Sequence, residues 1–69
     1  MSPALESART HLATLREEQA AAIAAGLAEH PAYRADLEEE LATAEMAYVA
    51  AAVSEIASFR AQLSGPQVG

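Results

Sequence analysis

The sequence predicts an all-α fold, an antiparallel two-helix hairpin whose core is completed by oligomerisation or by partner helices in a bundle. Three observations support this prediction. Alanine, leucine, glutamate and arginine, which favour helices strongly, dominate the composition. Apolar residues recur at steps of three and four over two long segments, and no alternating strand pattern interrupts them. A histidine–proline pair separates the two segments, because the residue before proline is pushed out of helical geometry.

The length of the chain predicts a single domain over residues 1–69, with residues 64–69 as a short C-terminal tail. A core this small is marginal by itself and usually needs disulfides, a metal or oligomerisation. Because the sequence contains no cysteine, disulfides and thiolate metal sites are excluded. We therefore expect a homo-oligomer or a place in a larger protein assembly.

The charge and hydropathy of the chain argue against several classes of partner. The net charge is −6 and the four basic residues are all arginine, whereas a nucleic-acid-binding protein needs a clustered basic face. The longest apolar runs, 20–28 and 46–53, are under half the length that crosses a bilayer. The N-terminus also lacks the features of a signal peptide. We expect no nucleic-acid or membrane partner, and a location in the cytoplasm or in a particle assembled there.

Helix one is predicted over about residues 3–28. Ser2 is a capping residue and Pro3 suits the first helical position. The expected core-facing positions recur at helical spacing: Leu5, Ala8, Leu12, Leu15, Gln19, Ile23 and Leu27. Gly26 resembles a glycine helix stop, so the helix should end between Gly26 and His30.

Helix two is predicted over about residues 32–63. It begins either at Pro31 or at Asp36, which has capping-box spacing with Glu39. The run 38–40 is then a solvated acidic first turn, favoured by the helix dipole. Ser64-Gly65-Pro66 should end this helix.

Two apolar stripes follow the surface of helix two. The first contains Tyr33, Leu37, Leu41, Ala44 and Tyr48, and is extended by Ala52 and Phe59. The second contains Met46, Val49, Val53 and Ile56, over 100° around the helix. One partner helix cannot cover a surface that wide, and the end of helix two should overhang the start of helix one. The predicted partner-binding residues are Met46, Val49, Val53, Ile56, Phe59 and Leu63.

The hairpin turn near residue 30 predicts which residues face each other. The expected pairs are Ile23 with Leu37, Gln19 with Leu41, Leu12 with Tyr48, and Leu5 near Ile56. Arg16 should lie level with Glu45, its stem covering apolar surface while its guanidinium reaches the carboxylate. Glu55 is close to the first stripe, and we expect it on the flank rather than buried against an arginine of a partner.

The chain contains no combination of residues typical of catalysis or cofactor binding. His11 and His30 are far apart on a thin hairpin, and no glutamate precedes a histidine by three residues, as in bundles that bind two metals. Three successive glutamates at 38–40 point in different directions and cannot converge on one ion. We expect no enzyme activity, no metal or other cofactor and no small-molecule substrate.

The leading hypothesis is a non-catalytic structural or assembly protein that self-associates or docks on a larger complex through helix two, for example a bacteriophage virion or assembly component. The alternative is a small acidic regulatory module of the antitoxin, anti-activator or inhibitor type, which acts by helix–helix contact. A metal-binding bundle is a third possibility, and it requires bound metal.

Overall fold

The structure, a computed structural model, describes residues 2–64. It contains helix α1 at Pro3–Ala24, a short 3₁₀ turn at Leu27–Glu29 and helix α2 at Pro31–Leu63. The two helices pack against each other as a hairpin, so the predicted all-α hairpin is confirmed. Most of the predicted C-terminal tail, residues 65–69, lies outside the described part of the chain.

Helix α1 begins where the sequence predicts and ends earlier. The Leu5 N–H donates to Ser2 Oγ at 3.2 Å, which confirms Ser2 as the capping residue. The expected end near residue 28 is wrong, because α1 ends at Ala24. Gly26 adopts a left-handed conformation with φ of 78°, and its N–H donates to the Ile23 carbonyl at 3.1 Å. Glycine takes this conformation without the steric cost of a side chain, so the helix stops there.

Helix α2 begins at Pro31 rather than at Asp36. His30 is extended, with φ −88° and ψ 110°, as proline requires of the residue before it. Its carbonyl accepts from the Arg34 N–H at 3.0 Å, which closes the first turn. Residues 38–40 therefore lie two turns into the helix, and the expectation that they form an acidic first turn is wrong.

The two helices meet along a hairpin seam, which we define by its buried and half-buried positions. On α1 these are Leu5, Ala8, Leu12, Leu15, Gln19 and Ala22, and on α2 they are Leu37, Leu41, Ala44, Tyr48, Ala51 and Glu55, while Tyr33 and Ala52, also half-buried, lie beside this row. Both series alternate steps of three and four residues, which is the heptad spacing of coiled coils. The hydrophobic core is the middle of this seam, and Tyr33 and Tyr48 pack against it.

Two residues that we expected in the seam lie outside it. Ile23 is 62% exposed and Leu27 is 43% exposed, whereas Ala22 is only 3% exposed. Ile23 lies two four-residue steps after Leu15, by way of Gln19, so its side chain points about 80° around the helix from that of Leu15. A three-residue step from Gln19 instead returns to the seam at Ala22. Ile23 therefore does not pack in the core opposite Leu37 as expected.

Because Leu15 is 4% exposed in this core, Leu15→Ala should lower the free energy of unfolding by about 2–5 kcal/mol through lost burial and a residual cavity. Ile23→Ala, also on α1 but exposed, should change it by under about 0.5 kcal/mol. Urea unfolding followed by circular dichroism measures both. Equal losses in the two variants would contradict this assignment of the seam.

Candidate protein-contact surface

A row of large apolar side chains on α2 faces away from α1. We call it the outer stripe, and it consists of Met46, Val49, Val53, Ile56 and Leu63. These five side chains are between 57% and 73% exposed. Large apolar side chains scattered singly are normal on a protein surface, whereas a contiguous row marks a contact site. The outer stripe is therefore a surface suited to contact with another protein.

The position of the outer stripe follows from the helical rotation of about 100° per residue. Val49 and Ile56 each directly follow a seam residue, and so they point about 100° away from it. Met46 and Val53 come two residues after a seam residue, and so they point about 200° around from it. The outer stripe therefore lies nearly opposite the seam, where α1 cannot cover it.

Glu55 sets the rotation of α2 at the open end of the hairpin. It is half-buried, and its carboxylate accepts from the Ser2 N–H at 3.1 Å and from the Ser2 hydroxyl at 3.5 Å. The expected flank position is wrong, because Glu55 faces the start of α1. The unpaired N–H groups and positive dipole end of a helix N-terminus favour a carboxylate there. With Glu55 turned inward, its neighbour Ile56 is directed outward.

Helix α2 extends past the start of α1, as expected. Since Ser2 lies level with Glu55, the eight residues from Ile56 to Leu63 project about 12 Å beyond α1. Phe59 in this overhang is 59% exposed. The expected proximity of Leu5 to Ile56 is wrong in orientation, because Leu5 is buried in the seam while Ile56 points outward.

The charged residues are concentrated at the other end of the hairpin. Eight of the ten acidic residues lie between residues 17 and 45, on the part of the hairpin nearer the turn, and all eight are exposed. Arg16 Nη2 lies 3.7 Å from Glu45 Oε1, as predicted. Both side chains are more than half exposed, so this ion pair adds little to the free energy of unfolding. We call residues 17–45 the acidic end, which contains eight acidic residues and one arginine.

Tyr33 joins the core to the acidic end. Its ring packs against the core, and its hydroxyl donates to Glu18 Oε2 at 3.0 Å. This hydrogen bond raises the Tyr33 pKa above its usual value of 10.0, and partial desolvation and the negative charges of Glu18 and Glu40 act in the same direction. Tyr33 and Tyr48 thus have packing positions, as predicted.

The two histidines lie on different elements of the hairpin, His11 within α1 and His30 just before α2. His11 and His30 are both exposed. Within residues 2–64, no three histidine, aspartate or glutamate side chains are grouped as a metal ion would require. No helix in the same range is both long and apolar enough to cross a membrane.

Comparisons with protein-family models, with curated proteins and with solved structures find no match for this chain. The six predicted partner-binding residues are all exposed on α2, and their binding role remains a prediction. Sequence reasoning missed a second, smaller apolar patch at Ile23 and Leu27, although the heptad spacing that begins at Leu5 would have revealed it.

Glu55→Ala should lower the free energy of unfolding by about 1 kcal/mol, because the Ser2 N–H loses its acceptor at the start of α1. Glu45→Ala, which removes an exposed ion pair, should cost under about 0.5 kcal/mol. Urea unfolding gives both values, and amide hydrogen exchange should accelerate in the first turn of α1 only in the Glu55 variant. Unchanged exchange there would contradict the role of Glu55.

Tyr33 should ionise above pH 10 in a Tyr48→Phe background, where it is the single tyrosine, as measured by tyrosinate absorbance. Glu18→Ala should lower that midpoint towards 10, whereas Glu45→Ala should leave it unchanged. Because the Tyr33 pKa is higher in the folded chain than in the unfolded chain, the neutral hydroxyl contributes to the free energy of unfolding below a pH of about 10. That contribution is lost as the pH rises through the folded-state pKa. A midpoint insensitive to Glu18 would contradict the assigned hydrogen bond.

Proposed function

We propose that this protein is a non-catalytic structural or assembly component that self-associates, or docks on a larger complex, through the outer stripe and Phe59 of α2. The observation that carries the proposal is the exposed apolar row opposite the seam, from Met46 to Leu63. A component of a bacteriophage virion, or of the machinery that assembles it, is one form of this role.

The energetics of burial support a contact at this surface. Fully burying one large apolar side chain contributes roughly 1.5–3 kcal/mol. The outer stripe together with Phe59 provides six such side chains, each more than half exposed. Their burial offers on the order of 10 kcal/mol, which is comparable with the estimated association cost of about 4–15 kcal/mol. Assembly through this surface should therefore depend on concentration.

The alternative function is a small acidic regulatory module of the antitoxin, anti-activator or inhibitor type, acting by helix–helix contact. The acidic end supports it, since eight exposed carboxylates can occupy a basic cleft on a partner. The two proposals differ in what they require. A regulator needs a basic partner and binds it less well as salt rises, whereas an assembly component associates through an apolar surface that salt screens little.

Val53→Glu should raise the dissociation constant of self-association at least about tenfold, because it places a charge in the middle of the contact. Ala61→Glu is the matched control, since Ala61 is an exposed residue of the same helix outside the outer stripe and the charge change is identical. Sedimentation velocity at several concentrations measures association, and circular dichroism checks that both variants stay helical.

Three outcomes of this experiment are informative. Association weakened by Val53→Glu and retained by Ala61→Glu supports the proposal. Equal weakening by both variants points to net charge rather than to the outer stripe. A wild-type chain that stays monomeric up to millimolar concentration overturns self-association.

A further inference from the structure

We infer that the occupant of the outer stripe is the same stripe of a second copy, with the two α2 helices running antiparallel. In this pairing Met46 lies opposite Leu63 of the second copy, and Val53 lies opposite Ile56 of the second copy. The inference rests on the proposed self-association and adds the identity, direction and register of the partner.

The spacing of the outer stripe indicates that its partner is another helix. Its positions, with Arg60 included, alternate steps of three and four: Met46, Val49, Val53, Ile56, Arg60 and Leu63. A row with heptad spacing drifts only about 20° per heptad around a straight helix, and a partner helix that coils around it stays in contact along the whole row. The hairpin seam has the same spacing, so α2 has two coiled-coil faces and α1 covers one of them.

The charge distribution indicates that this helix is a second copy. From residue 46 to 64 the chain has only Glu55 and Arg60 as charged side chains, and Glu55 faces the start of α1. Two copies of this segment can therefore approach closely although the chain as a whole carries a net charge of −6. A basic partner, by contrast, would find its complementary charge at the acidic end, away from the outer stripe.

The acidic ends indicate the direction. A parallel pair places both acidic ends side by side, with like charges close to each other. An antiparallel pair centred between Val53 and Ile56 places the two Glu40 side chains about 40 Å apart along the axis, far beyond the screening length of about 8–10 Å. The antiparallel pair therefore avoids a repulsion that the parallel pair cannot.

The position of Arg60 within the proposed contact also favours the antiparallel pair. In a parallel, in-register pair the two Arg60 side chains would face each other across the contact between the two copies. In the antiparallel pair each Arg60 lies against Val49 of the second copy, about one turn from Glu45 of that copy. Its stem then covers apolar surface and its guanidinium can reach a carboxylate. Phe59 lies in the same pair beside Ala52 of the second copy, so that a large side chain meets a small one.

Disulfide cross-linking tests the direction directly, because the chain has no cysteine of its own. The two variants are Met46→Cys and Leu63→Cys, at positions that are 73% and 66% exposed, so neither change disturbs the hairpin core. Each variant is oxidised alone and as an equimolar mixture, and disulfide-linked dimers are counted on a non-reducing gel. A third variant, Ala61→Cys, controls for random collision.

If the pair is antiparallel, the mixture should give linked dimers that contain one chain of each variant. Either variant oxidised alone should give no more linked dimer than the Ala61→Cys control. The reason is distance, since the two copies of position 46 are about 25 Å apart in this pairing. A disulfide requires Cα atoms about 4.4–6.8 Å apart.

The other outcomes separate the inference from the proposed function. Efficient linking of each variant to itself, in a chain that sedimentation shows to dimerise, overturns the antiparallel direction and leaves self-association standing. Dimerisation without any linking above the Ala61→Cys control overturns the outer stripe as the interface. A chain that sediments as a monomer overturns the proposed self-association and this inference together.

Discussion

The structure depends on the heptad spacing of the hairpin seam. A row of positions that alternates steps of three and four stays on one line of each helix, so α1 and α2 can remain in contact over their shared length. That contact determines the direction of every other side chain. On α2 the seam passes through Tyr48, Ala51 and Glu55, so the exposed residues Val49 and Val53 between them point elsewhere. The apolar residues in that position form the outer stripe.

The two ends of the hairpin differ in length, charge and apolar exposure. At the open end, Ser2 and Glu55 hold the start of α1 level with the last third of α2, which leaves Phe59 and Leu63 without cover from α1. At the turn end, exposed carboxylates surround a compact core. In the proposed assembly, repulsion between the acidic ends excludes arrangements that bring these ends together, and burial of the outer stripe favours contact at the apolar end.

Much of the fold could be predicted from local sequence. Ser2 with Pro3 and Gly26 are local signals for helix ends, and each had its predicted role. Arg16 and Glu45 were paired correctly, because the register near the middle of a hairpin depends only on the position of the turn. The outer stripe was also identified, since a helix with two apolar faces needs only its own periodicity to be recognised.

The errors arose where a residue's position depends on the other helix. Ile23 is the larger apolar side chain, yet Ala22 is in the seam, because the seam follows the spacing of the pair and not the size of the residue. Glu55 looked like a flank residue until α1 placed an unpaired N–H opposite it. Tertiary contacts of this kind leave no local signal.

The most direct test of the central idea is a dilution series followed by methyl NMR. Methyl groups are present on the outer stripe at Met46, Val49, Val53, Ile56 and Leu63, and on the smaller exposed patch at Ile23 and Leu27. From micromolar to millimolar concentration, we predict chemical-shift changes confined to the outer stripe, with Ile23, Leu27 and the core leucines unchanged. Changes confined to Ile23 and Leu27, or no changes at any methyl group, would contradict the account.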